Sequence, residues 1–135
     1  MRLKIISIVV ILFFLNSCFS SSTSGSIRLK FTKDNVDSEL VKIKAIVDSM
    51  DHNMIKEKIA NKFTDFKKQN IDNSVIRYTK YWTANSDDNE ATIVIRVEMN
   101  CGMSEFELAE KVIEFYEEFI ITELETNGYS PESDL

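Results

Sequence analysis

The chain of 135 residues is short of the residues from which most active sites are assembled. Three glycines leave little material for a phosphate-cradling loop, and no P-loop, Rossmann fingerprint or Gly-x-Ser-x-Gly elbow occurs. The single histidine, His52, cannot by itself complete a zinc site, which needs four nitrogen or sulfur donors, and His-Glu-x-x-His is missing. Calcium loops converge oxygen ligands around a glycine turn, and nothing here matches one. Two cysteines, Cys18 and Cys101, allow at most one bridge. Cys101 stands in Asn100-Cys101-Gly102, ahead of an expected helix N-terminus whose dipole can lower a thiol pKa. A nucleophilic thiol also needs a base, and no motif links it to His52. The expectation is a protein that is not an enzyme, with no metal or other cofactor.

Positive charge is also in short supply. With 16 basic and 22 acidic residues the net charge is −6, which argues against nucleic acid as a partner, because neutralising phosphates needs a basic footprint. The acids crowd towards the end, with a single lysine, Lys111, after Gly102.

What is present begins at the N-terminus. Arg2 and Lys4 form a short positive region, Ile5 to Leu15 runs without a charge, and Leu15-Asn16-Ser17-Cys18 closes it. Eleven uncharged residues, all apolar but Ser7, span about 16 Å as a helix, half the ~30 Å of a bilayer core, so the run fits the core of an export signal better than a transmembrane helix. Leu15 to Cys18 resembles the lipobox of bacterial lipoproteins, with Asn16 where Ala, Ser or Thr is usual. The resemblance implies removal of residues 1–17 and a mature chain starting at Cys18. That cysteine would carry a diacylglyceryl thioether and an acylated amine, the fatty acyl (palmitate-type) lipid anchor of that family. Several acyl chains on one residue meet the requirement for stable anchoring. Phe19 rather than Asp follows Cys18, which in Gram-negative cells implies the outer membrane, facing the periplasm. Cleavage beyond Cys18, near Ser20 to Ser24, would instead give a secreted domain. A Cys18–Cys101 bridge would become possible were Cys18 left unlipidated.

Removal of Met1 to Ser17 takes Arg2 and Lys4 with it and leaves a net charge of −8 on a chain of single-domain size. Residues 18–26, the lipidated cysteine with Ser-Ser-Ser-Thr-Ser-Gly-Ser, read as a Ser-rich tether with little to bury. Residues 27–128 read as one domain, and 129–135 as a flexible acidic tail.

Within the domain, Ile27, Leu29 and Phe31 alternate with Arg28, Lys30 and Thr32 as a half-buried strand. Val36, Leu40, Ile43, Val47 and Met50, then Ile55, Ile59, Phe63 and Phe66, recur at helical spacing on two stripes slightly out of phase, predicting two helices or one bent helix. Val75 to Thr83 and Ala91 to Met99 are β-branched and aromatic runs joined by a polar loop, a pattern that predicts an antiparallel hairpin. Ser104 and Glu107 suggest a capping box, with Met103 stapled onto Leu108, for a last helix that ends at Asn127-Gly128. Phe106, Ala109, Val112, Ile113, Tyr116 and Ile120 lie on its apolar half; Glu107, Glu110, Glu114, Glu117, Glu118 and Glu125 lie on the other. The order β-α(α)-β-β-α predicts an α+β two-layer sandwich.

Three strands covered by helices on one side leave the other side open. That face would carry Arg28, Lys30, Arg77, Tyr81, Arg96 and Glu98, with Arg77 and Glu98 as a cross-strand pair. The leading expectation is a membrane-anchored envelope lipoprotein whose domain is structural or binds a protein partner, or itself, through this face. The alternative is a small-ligand or cell-wall-fragment binding lipoprotein, with Phe63, Tyr78, Trp82 and Tyr116 lining a pocket.

Overall fold

The computed structural model describes residues 20–82 and 89–133. Residues 1–19, where an export signal and a lipobox ending at Cys18 were expected, lie outside them, as does most of the loop between Trp82 and Glu90.

The elements follow the periodicities closely. Strand β1 (Ser20–Thr32) leads into helix α1 (Val36–Asp48), α2 (His52–Lys62) and the single turn α3 (Lys68–Asp72). Strands β2 (Val75–Trp82) and β3 (Glu90–Gly102) come next, then a 3-10 turn (Met103–Glu105), α4 (Phe106–Thr126) and the short β4 (Glu132–Ser133). The break between α1 and α2 is made locally: the Asp51 carboxylate accepts the Met54 N–H at 3.0 Å, so a new helix starts instead of the old one continuing.

The sheet order is β2-β3-β1-β4, with every neighbouring pair antiparallel. β3 therefore lies between β1 and β2, which run the same way and are joined by the helical crossover. This is the split βαβ arrangement of ferredoxin-like domains, here an α+β sandwich as expected. The odd-numbered residues of β3, Ala91 to Cys101, and Ile27 and Leu29 of β1 form one core with Ile43 and Val47 of α1, Ile55 and Ile59 of α2, and Val112, Ile113, Tyr116, Ile120 and Leu124 of α4. The helices thus cover one face of the sheet and leave the even-numbered residues of β1 and β3 open.

Several expectations need correction. Ser20 to Ser26 is not a tether: it is the first half of β1, paired in register from Ser20↔Gly102 to Ser26↔Arg96. The stretch carries no apolar alternation because its inward positions are fitted to a close helix. Thr23 and Gly25 point inward, and a Cβ on Gly25 would stand 2.6 Å from Ile113 Cγ2 and 2.4 Å from Glu117 Oε1. Main-chain pairing with Val97 to Cys101 supplies what the serines lack. Glu117 accordingly leaves the solvated acidic stripe and is buried, accepting a hydrogen bond from the Ser133 hydroxyl at 3.2 Å.

The tail is also part of the fold. Glu132 and Ser133 pair with Arg28 and Ile27 as a fourth strand. The Tyr129 ring packs edge-on against Phe31, centroids 6.2 Å apart, and its hydroxyl donates to Glu39 at 2.8 Å. At the start of α4 the cap is displaced from the expected box. The Gly102 N–H donates to Glu105 Oε2 at 3.0 Å, a 3-10 turn intervenes, and Met103 and Phe106 stand exposed instead of stapled or buried.

Candidate interaction face

Six residues were expected together on the open sheet face, and the register brings them there. Arg77 and Arg96 are direct cross-strand partners, Tyr81 stands opposite Thr92, and Arg28 stands opposite Val94. Arg77 Nε donates to Glu98 Oε2 at 2.7 Å, the expected pair. Lys30 Nζ lies 4.0 Å from Glu132, a partner supplied by the strand that the tail forms.

Around Val94 these side chains enclose a cleft of about 270 Å³ lined by Ser26, Arg28, Tyr81, Thr92, Val94 and Arg96. They cover Val94 so well that an apolar residue on the uncovered face is only 5% exposed. The volume falls below the ~300–1,000 Å³ of ordinary ligand pockets, so it suits a side chain or a small anion.

The electrostatics of the cleft are unbalanced. Arg96 faces Arg77 directly, and like charges at such cross-strand positions repel. Glu98 answers Arg77 through the 2.7 Å bond. Arg96 Nε is buried with no hydrogen-bond partner among the described residues, and a buried donor left unpaired costs about 1–3 kcal/mol. An incoming carboxylate could pair with the Arg96 guanidinium through a charge-assisted bond, with Tyr81, Thr92 and Ser26 lining the same cleft. Tyr81, 48% exposed, presents an aromatic surface at its rim.

Each of the four aromatics expected to line a pocket has a partner of its own. Tyr78 donates its hydroxyl to Asp48 at 2.7 Å, and burial followed by that carboxylate pushes its pKa well above the ordinary tyrosine value. Phe63 meets Phe115 edge-on at 5.8 Å, and Trp82 is half exposed with the Lys80 ammonium over its ring. Tyr116 is buried, its pKa pushed up to about 12 by that burial, and its hydroxyl lies 2.8 Å from His52 Nδ1. His52 Nε2 lies 2.7 Å from the Val47 carbonyl, which can only accept. In the neutral ring Nε2 therefore carries the proton and Nδ1 accepts from Tyr116. His52 is thereby held as a clasp between α1, α2 and α4. Cys101 is buried in the core beside the Ser21 hydroxyl, 3.7 Å from its sulfur, and not with His52.

A second depression, about 350 Å³, lies between the α1–α2 turn and the last turns of α4, lined by Met50, Met54, Phe119 and the acids Asp51, Glu118 and Glu123. Among the described residues it holds no orphaned donor or acceptor comparable to Arg96. Sequence reasoning missed Ser26 and Glu132 as parts of the open face, because both belong to segments that read as irregular. Comparison with family models, with curated proteins and with solved structures found no match.

Proposed function

We propose that this chain is a lipid-anchored envelope lipoprotein, held to the membrane through Cys18, whose open sheet face receives an acidic segment of a protein partner. The domain carries no catalytic role in this reading. The observation that carries the partner reading is Arg96, which lines a cleft on the open face and whose buried Nε has no acceptor among the described residues. The lipobox resemblance at Leu15 to Cys18 supports the anchor. An acidic patch on a second copy of the chain, such as the outer face of α4, has the required chemistry as well.

Crosslinking in intact cells tests the reading. A photo-reactive residue at position 81 is expected to capture one discrete product, and Arg96→Glu is expected to abolish it while the fold, followed by circular dichroism, persists. The same residue at position 41, where Val41 is exposed on α1, serves as the control. Equal capture at both positions, or capture indifferent to Arg96→Glu, would overturn it.

A further inference from the structure

Three features converge at one end of the sheet. β1 begins at Ser20, whose register partner is Gly102, the last residue of β3. Immediately after Gly102 come Met103, 73% exposed, and Phe106, 42% exposed, two large apolar side chains on the 3-10 turn and the first residue of α4. Only Phe19 separates Ser20 from Cys18.

The distances are short. Two residues of chain reach at most ~7 Å from Ser20, and Gly102, the cross-strand partner of Ser20, is joined directly to Met103. A lipid-bearing cysteine at that reach leaves no slack for the domain to drift from the bilayer. We infer that Met103 and Phe106 form a membrane-contacting tip beside the Cys18 lipid, so that the domain stands end-on at the bilayer. The inference rests on the lipoprotein reading above and adds an orientation to it.

The chemistry favours apolar insertion over charge attraction. Glu105 and Glu107 flank the tip, so anionic headgroups are not what draws it in, and contact is expected with zwitterionic lipid at high salt as well. The orientation also gives the long strands a purpose. Along β3, Arg96 stands six residues and Thr92 ten residues from Gly102, roughly 20 and 33 Å at strand rise, so the Arg96–Tyr81 cleft is carried clear of the headgroups without a flexible spacer. Trp82 lies at the same distal end, opposite Ala91.

That placement supplies the test. Full-length protein extracted from membranes is reconstituted into vesicles of phosphatidylcholine brominated on its acyl chains, as wild type and as the double variant Phe106→Trp, Trp82→Phe. Intact mass spectrometry on the same samples reports whether Cys18 is acylated. The expected result is acylated Cys18, wild-type emission from Trp82 unchanged, and a loss of about half the emission of the double variant, with a blue shift. Acylated protein in which the double variant is not quenched overturns the tip while leaving the anchor standing. Quenching of both proteins means the domain lies flat, which also overturns it. A chain lacking acyl mass at Cys18 removes the anchor reading and the inference together.

Discussion

Gly25 is the residue at which a strand and a tether make opposite predictions. In the structure an added Cβ would sit 2.4 Å from Glu117 Oε1, 2.7 Å from Glu117 Cδ and 2.6 Å from Ile113 Cγ2. Carbon atoms rest at ~3.5–4.0 Å, so relief requires roughly 1 Å of movement. Glu117 can swing, but only by giving up its bond to Ser133. Ile113 is β-branched and stiff at χ1 within a helix, so α4 itself must shift. Overpacking of this kind costs about 1–3 kcal/mol, and the unfolded-state benefit of Gly→Ala, about 0.4–1 kcal/mol, offsets only part of it. Gly25→Ala is therefore expected to destabilise the domain by about 1–2 kcal/mol, lowering Tm by roughly 5–10 °C for a domain of this size. Thermal unfolding followed by circular dichroism measures it. Ser24→Ala, one residue away on the exposed side, is expected to stay within about 0.5 kcal/mol. A double-mutant cycle with Glu117→Ala should show coupling above about 0.5 kcal/mol, because truncating Glu117 removes two of the three close contacts. A neutral or stabilising Gly25→Ala would mean that residues 20–26 are not held under α4, and the strand assignment with everything built on it would be refuted.

Two further predictions concern titration and reactivity. Burial raises Tyr116 and Tyr129 from 10 to about 12, with Glu39 adding to the shift of Tyr129, and Tyr78 is raised further. Groups whose folded pKa is raised stabilise fully below the unfolded value, so denaturant stability is expected to hold up to about pH 10 and fall towards pH 12; a flat profile there would contradict the buried tyrosines. Cys101, buried against β1, is expected to react with an aromatic disulfide reagent only after denaturant unfolds the chain, whereas prompt reaction under native conditions would place the thiol outside the core.

The parts of the fold visible in the sequence were those with strong periodicity. β3 announces its inward face through Ala91, Ile93, Ile95, Val97 and Met99, and α4 through Val112, Ile113, Tyr116 and Ile120, so the layer arrangement followed directly. The open face was legible for the same reason, since Arg28, Arg77 and Arg96 occupy the alternate positions of amphipathic strands. What stayed hidden depends on pairing at a distance. Ser20 to Ser26 has no apolar signal of its own and becomes a strand because β3 offers it seven register partners, Arg96 to Gly102, and α4 packs closely against Gly25. Glu132 and Ser133 are ordered by β1, and Glu117 reads as one more solvated acid until Gly25 is seen beneath it. The exposed Phe106 is the converse case. Helical spacing assigned it to the core, but the 3-10 turn ahead of α4 moves the helix start and leaves it on the outside.

Mass spectrometry of the N-terminal peptide from membrane-extracted protein, with and without reductant, is the direct test of the lipid anchor proposed at Cys18. The account predicts a mature chain beginning at Cys18 with added acyl mass and with Cys101 as a free thiol. A chain beginning beyond Cys18, or a Cys18–Cys101 disulfide, would contradict it and leave a secreted domain without a membrane anchor.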